Sequence, residues 1–195
     1  MKLRRTGCPI VNDDFLEKFE AFFKGVGAVM HGAIMSTDNL YRYVLWRCWN
    51  ASEPSMVFIM LNPSTADDKT DDPTIRRCIN FAKREECGRL IVVNLFALRA
   101  TNPNELLEAD DPKGPDNRKY VENVIAMANG PVVAAWGAWW YTNQAKRYGK
   151  SIPRLAIEAF ARDAEKPLYC LGRTSSNQPR HPLYVKSGQP LERFS

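Results

Sequence analysis

The sequence predicts an α/β fold in three layers (α/β/α), with a central, mostly parallel four-stranded sheet between layers of helices. Four short segments of the chain are apolar almost throughout, and segments with helical periodicity separate them. A strand without polar alternation is typical of a parallel sheet that is covered on both faces. Strands that alternate with helices are typical of the crossovers that join parallel strands.

The predicted strands and helices follow one another from residue 56 onward. The first helix is expected to begin at Asp72 and to end near Gly88, because Asp followed by Pro73 is typical of a helix cap and a first helical residue. The strands are expected at residues 56–61, 90–96, 131–137 and 168–171, and the later helices at residues 117–128, 138–148 and up to about residue 163.

Residues 1–55 are predicted to form an N-terminal extension on a core of residues 56–195, within one domain. Phenylalanine and leucine recur at helical spacing over residues 14–24, which predicts an amphipathic helix. Aromatic and basic residues alternate over residues 41–49, which predicts a half-buried strand. Turn residues lead from this strand into the first core strand, so we expect these two strands to pair as a hairpin.

The composition excludes several classes of protein. No apolar run approaches about 18 residues, and the basic N-terminus lacks the apolar segment of a signal peptide, so no membrane partner is expected. The five cysteines are scattered without a CxxC pair, which favours reduced thiols and a cytoplasmic location. No zinc-ligand spacing, Walker A motif or GxGxxG motif occurs, so no metal and no cofactor is expected. We expect a monomer.

The charge distribution permits binding to nucleic acid. The formal net charge is +5, and residues 173–195 hold a surplus of cations in a segment rich in Ser, Gly and Pro. Arg180 and Lys186 are two of these cations. Two interpretations of this segment stay open: it faces DNA, or it is an ordinary solvated surface.

Polar or small residues mark the ends of the four predicted strands. Asn62 follows the first strand, Asn94 interrupts the second near its end, and Trp136-Gly137 ends the third. His181 lies in the loop after the fourth strand. An Asn at one strand end is more simply a turn residue. The carboxyl ends of parallel strands meet at one edge of a sheet, however, so four such ends together predict a shared cleft for a ligand.

Four segments of the chain resemble, in order, the motifs of the uracil-DNA glycosylase superfamily. IMLNPS resembles a water-activating loop of the type GQDPY, GINPG or GMNPG, and IVVNLFALRAT resembles a base-reading strand of the type LLLNAVLTVRA. VVAAWGAWW is similar to VVFLLWGSHA, and HPLYVKSGQPLERF is similar to a loop of the type HPSPLS. The resemblance covers residues 56–195, and NPSTAD and NLFALRA are similar to a branch of bacterial and phage proteins.

The resemblance implies roles for individual residues around a base flipped out of DNA. Asn62 would position the attacking water, and Asn94 would read the edge of the base. His181 would donate a hydrogen bond to a base oxygen as negative charge develops there. Pro63 and Ser64 would contact the substrate, and the residues facing DNA would be Arg180, Pro182, Leu183, Tyr184 and Lys186.

The chain also departs from the superfamily pattern. Asn62 replaces the Asp of the most active branch, and an amide can orient water but cannot act as a general base. Asp67 is the catalytic candidate for the missing carboxylate. Asp72 is a second nearby acid and a second place to look for that carboxylate. It is more simply a helix cap, and we place it among the substrate-binding residues. Leu183 replaces the Ser of the last motif.

The side chain that wedges into DNA and the role of the two tryptophans after the third strand each have more than one interpretation. The apolar side chain that wedges into DNA falls by count at Val185, with Leu183 and Tyr184 as competitors. Trp139 and Trp140 follow the third strand, where they either stack on a base or pack in the core.

The sequence therefore predicts a hydrolase, a metal-independent DNA base glycosylase. It would hydrolyse the N-glycosidic bond of a damaged or modified base, in DNA repair or in phage defence. Two alternatives stay open. The chain is a non-catalytic module that binds DNA or a modified base, or it is an enzyme that acts on free nucleotides or nucleosides.

Overall fold

The computed structural model describes residues 31–64, 66, 70–143 and 152–195. The amphipathic helix predicted over residues 14–24 lies outside the described residues, as does Asp67. The described residues form seven strands, five α-helices and a 3₁₀ turn: β1 His31–Met35, β2 Arg42–Cys48, β3 Ser55–Met60, α1 Pro73–Arg84, β4 Arg89–Asn94, α2 Glu105–Glu108, α3 Asn117–Met127, β5 Val132–Ala134, α4 Trp139–Asn143, α5 Ile152–Asp163, β6 Leu168–Cys170, the 3₁₀ turn Pro182–Tyr184 and β7 Glu192–Arg193.

All seven strands belong to one mixed sheet with the order β1-β2-β4-β3-β5-β6-β7. The four central strands β4, β3, β5 and β6 run parallel to one another. The pairs β1–β2, β2–β4 and β6–β7 are antiparallel. The prediction of a four-stranded, mostly parallel sheet is therefore wrong, because the sheet has seven strands and half of its pairings are antiparallel.

The strands that the sequence pattern missed lack a continuous apolar run. β1 is only partly buried, and β7 consists of two exposed charged residues. Both are edge strands, held by hydrogen bonds to a single neighbour. An edge strand buries less of its surface than a central one, so its sequence carries little apolar signal.

The predicted hairpin is also wrong in its pairing. β2 forms at the predicted place, but it pairs with β1 and β4 and not with β3. The connection from β2 to β3 passes over the start of β4, where the Arg89 guanidinium donates to the carbonyl oxygen of Glu53 at 3.0 and 3.3 Å. Six residues are enough to cross the two strand spacings of about 4.8 Å each that separate β2 from β3.

Helices cover both faces of the sheet. α1 packs on one face through Ile75, Cys78 and Phe81, in a core that includes alternate residues of β3 such as Phe58. α3 and α5 pack on the other face, where the core takes up the intervening residues of β3 such as Ile59. All six residues of β3 are buried, so this strand contributes to both cores.

The order of the strands creates a crevice at their carboxyl ends. β3 and β5 are neighbours, but the chain leaves β3 toward α1 on one face and leaves β5 toward α5 on the other. Loops that diverge in this way leave a gap between them, which is where open α/β sheets bind ligands. Among the described helices, none is long and apolar enough to cross a membrane.

Gly88 gives a test of the crossing between β2 and β3. Its carbonyl oxygen accepts from the backbone N–H groups of Trp49 and Asn50, and a Cβ at Gly88 would lie 1.9 Å from the Asn50 carbonyl oxygen. We expect Gly88→Ala to lower the free energy of unfolding by about 1–3 kcal/mol, because the backbone must move. Urea denaturation measures the change.

Gly188→Ala is the matched control for this experiment. A Cβ at Gly188 has no neighbouring atom within 4 Å, so we expect an unchanged urea midpoint. Equal midpoints for the two variants would contradict the close approach at Gly88.

Candidate functional site

A cavity of about 550 Å³ lies at the carboxyl ends of the parallel strands. Its walls come from the residues after β3, the end of β4, the loop after β5, the loop after β6 and the N-terminus of α1. The cavity therefore lies where the strand order predicts a crevice, and seven of the sequence-predicted site residues line it. Those that line it are Asn62, Ser64, Asp72, Asn94, Arg180, His181 and Tyr184.

Four other predicted site residues stand outside the cavity lining. Pro63 and Pro182 are buried beside it, and Leu183 and Lys186 are exposed on the loop after β6. The structure therefore gathers the polar candidates of the four strand ends and leaves part of the predicted DNA-facing loop on the surface.

The amide nitrogen of Asn62 is fixed by backbone carbonyl groups. It donates to the oxygens of Pro63 at 3.0 Å and Ala100 at 2.8 Å, and the Ala100 N–H donates in return to Pro63. With both N–H bonds engaged, the amide oxygen is the group that Asn62 can offer to a ligand or a water. An amide oxygen accepts a hydrogen bond but does not take up a proton at ordinary pH.

Asn94 is a buried amide without hydrogen-bond partners among the described residues. The residue is 1% exposed at the end of β4, and neither its Oδ1 nor its Nδ2 is paired there. Leaving a buried polar group unpaired costs about 1–3 kcal/mol, so such a group calls for an explanation. A ligand that carries one donor and one acceptor on the same edge, as a nucleobase does, would pair both atoms.

Asn117, the first residue of α3, holds the backbone at the end of β4. Its Nδ2 donates to the carbonyl oxygens of Asn94 at 3.0 Å and Leu95 at 3.2 Å, and the residue is 4% exposed. Sequence reasoning missed Asn117, because an Asn at the start of a helix is indistinguishable from an ordinary capping residue.

Asp72 is the N-cap of α1, as the sequence predicted. Its carboxylate accepts from the Ile75 N–H at 2.8 Å, and Pro73 is the first helical residue. Asp72 is also the one acidic residue among the described residues that line the cavity. The neighbouring Asp71 points to a different partner, because its carboxylate forms an ion pair with Arg47 at 2.8 Å.

His181 is held as a neutral hydrogen-bond donor. Burial lowers the pKa of its imidazole to about 4, and the negative charge of Asp72 acts in the opposite direction. The Leu183 N–H donates to Nδ1 at 3.3 Å, so the proton of the neutral ring lies on Nε2. Since His181 lines the cavity, Nε2–H is the group available to a ligand oxygen.

The loop that carries His181 is fastened from two sides. Gly137 after β5 donates its N–H to the Pro179 carbonyl at 3.0 Å. From α1, Arg77 donates to the carbonyl oxygens of Pro182 and Val185, and Arg84 donates to that of Ser187. These guanidinium–carbonyl bonds hold the backbone of the residues after His181 against α1.

The fastened loop presents two large apolar side chains to solvent. Leu183 is 43% exposed and Tyr184 is 77% exposed, and the Tyr184 ring centroid lies 5.5 Å from that of His181. Val185, which the sequence count favoured as the wedge, packs against the core beside α1. Leu183 and Tyr184 are therefore the wedge candidates that the geometry leaves.

Arg42 and three threonines line the cavity but were not among the sequence candidates. Arg42 is 3% exposed in β2 and donates to the Ala66 carbonyl oxygen. It was missed because β2 was assigned to an extension, although an inward-facing Arg in a half-buried strand was a visible signal. Trp139 lines the cavity, whereas Trp140 is 5% exposed and packs on a core aromatic ring. The three threonines are Thr74, Thr101 and Thr174, and Trp136 at the end of the predicted third strand also lines the cavity.

The protonation of His181 is open to direct measurement. We expect its imidazole to stay neutral, with the proton on Nε2, as the pH falls from 7 to about 5, because burial disfavours the cation. The chain has two histidines, so ¹H–¹⁵N spectra of the His31→Gln variant report a single imidazole. A doubly protonated ring at pH 5.5 would contradict the assignment.

The same pKa has a consequence for stability. Between about pH 6.5 and pH 4 the unfolded chain binds a proton at His181 that the folded chain does not. The free energy of unfolding should therefore fall as the pH drops through this window, by up to about 3 kcal/mol, and His181→Gln should weaken this fall.

Comparison with known proteins gives a family without an assigned activity. A search of curated proteins and a search of solved structures each gave no significant match. A family model described as protein of unknown function (DUF1643) matches residues 42–183. This span includes β2 with Arg42 and ends within the loop of His181. The chain belongs to the DUF1643 family.

Proposed function

We propose that the protein is a DNA base glycosylase that hydrolyses the N-glycosidic bond of a flipped base. The observation that carries this proposal is the unpaired amide of Asn94 in the wall of a cavity that Asn62 and His181 also line. A base-edge reader, a water-orienting acceptor and a hydrogen-bond donor are what this reaction needs in one place. The family and the searches assign no function, so these contacts and the motif resemblance are its support.

Each group has a chemical task in the proposed reaction. Asn94 donates to and accepts from the edge of the base, which fixes its orientation. The Nε2–H of His181 donates to a base carbonyl oxygen, where negative charge develops as the C–N bond breaks. A neutral donor suits this task, because it stabilises the charge without giving up a proton early. The Asn62 amide oxygen accepts from the water that attacks C1′.

The volume of the cavity bears on the kind of base. Pockets of about 300–1,000 Å³ hold drug-sized ligands, and this cavity of about 550 Å³ falls in that range. A cavity of this volume has room for a nucleobase, with or without a modification.

DNA is the proposed partner because of the loop after β6. Leu183 and Tyr184 are exposed apolar side chains, and Arg180 and Lys186 are exposed cations beside them. Apolar side chains that enter a base step, together with cations that contact phosphates, keep a base out of the stack.

The test is an assay for abasic sites. Purified protein is incubated with DNA that carries uracil, mismatched thymine or hypermodified phage bases, and with the matching mononucleotides. We expect abasic sites in at least one DNA substrate and a fall of about 100-fold or more in rate for Asn62→Ala. Absence of cleavage on every substrate would refute the proposal, and turnover of mononucleotides alone would make the protein a nucleotide or nucleoside hydrolase.

A second candidate function is a reader that binds a modified base without cleaving it. The observation that favours it is Asn62, whose amide supplies no general base. A reader would bind the modified DNA with strong salt dependence, and this binding would survive Asn62→Ala.

Asn94→Leu separates the function of Asn94 from its effect on stability. Leucine has nearly the same shape and removes the unpaired amide, so we expect the free energy of unfolding to rise by about 1 kcal/mol. Activity and binding of the modified base should be lost. Chemical denaturation and the abasic-site assay measure the two effects.

Asn117→Leu is the matched control for Asn94→Leu. It removes the same group at a site where the amide nitrogen is used by two carbonyl oxygens, so stability should fall by about 1–3 kcal/mol. A loss of stability in Asn94→Leu equal to that in Asn117→Leu would show that the Asn94 amide is paired within the folded chain.

A further inference from the structure

The proposed reaction needs a group that accepts a proton from the attacking water. Asn62 cannot accept it, because an amide is not a base at ordinary pH. His181 is unsuited as well, because Nδ1 accepts from the Leu183 N–H and Nε2 already carries the proton. The base must come from another residue at the cavity.

Asp72 is the acid that the described cavity lining offers. Asp71, its neighbour, is held in the ion pair with Arg47. The hydrogen bond from the Ile75 N–H occupies one oxygen of Asp72, and this bond fixes the carboxylate at the start of α1. The second oxygen is left for a water, and the residue is partly exposed, so a water can reach it.

We propose that Asp72 is the general base of the reaction, in place of a carboxylate on the strand-end loop; this inference rests on the proposed glycosylase function. The water oxygen forms a bond to C1′ while its proton passes to the Asp72 carboxylate. The C–N bond breaks, and its electron pair leaves with the base, whose oxygen is bonded to His181 Nε2–H. The proton on Asp72 then goes to the departed base or to solvent.

One substitution at Asp72 distinguishes a role as general base from a role as helix cap. Asn caps a helix as well as Asp does, so a residue that serves only as a cap tolerates Asp72→Asn. An amide does not take up the proton, so a catalytic base does not tolerate the same change. The two roles therefore predict opposite results for one isosteric variant.

The experiment uses the full chain and the DNA substrate that gives the highest rate in the abasic-site assay. We expect Asp72→Asn to lower the single-turnover rate by about 100-fold or more, with unchanged DNA affinity and an unchanged melting temperature. Asp110→Asn, an exposed acid away from the cavity, is the matched control and should keep the full rate. Formate should restore part of the rate to Asp72→Ala and none to Asn62→Ala, because it replaces a carboxylate only.

The outcomes separate this inference from the proposed function. If the wild-type protein is active and Asp72→Asn keeps its rate within about threefold, the glycosylase function stands and Asp72 is excluded as the general base. A full loss in Asp67→Asn together with full activity in Asp72→Asn would assign the base to Asp67. A wild-type protein that cleaves no substrate would overturn the function and this inference together.

Discussion

The burial of β3 on both faces is the constraint on which the rest of the structure depends. Its side chains alternate between two cores, so helices must cover both faces of the sheet at this strand. Its two neighbours, β4 and β5, are parallel to it, which requires that crossovers pass over opposite faces. The loops after β3 and β5 then diverge, and the cavity lies between them.

The same arrangement explains why polar groups are tolerated at such depth. Asn94 ends a fully buried strand, where an unpaired amide lowers stability. Asn117 and Arg77 fix the backbone on two sides of the cavity through hydrogen bonds to carbonyl oxygens. These bonds fix the backbone from which Asn94 and His181 reach the wall of the cavity.

Continuous apolar runs made the central strands predictable from the sequence. The edge strands lack such runs, so the sequence did not predict them. β3 and β4 are buried throughout, whereas β7 consists of two exposed residues. These two residues form a strand only through their pairing with β6. After the crossover through α1, β4 enters the sheet between β2 and β3. No local sequence pattern reports this order of strands. The strand-end residues Asn62, Asn94 and His181 were accessible to sequence reasoning. Arg42 was missed because its strand was assigned to the extension, although it lines the cavity. Asn117 was missed because no local pattern reports that α3 brings its amide to the backbone at the end of β4.

In the proposed mechanism the tasks of water orientation and proton acceptance lie on different elements. Asn62 belongs to the loop after β3 and is tied to the backbone of Ala100, whereas Asp72 belongs to the helix that follows. The Ile75 N–H holds the Asp72 carboxylate at the N-terminus of α1, where it stands beside the neutral imidazole of His181. The division thus makes an amide at position 62 compatible with hydrolysis.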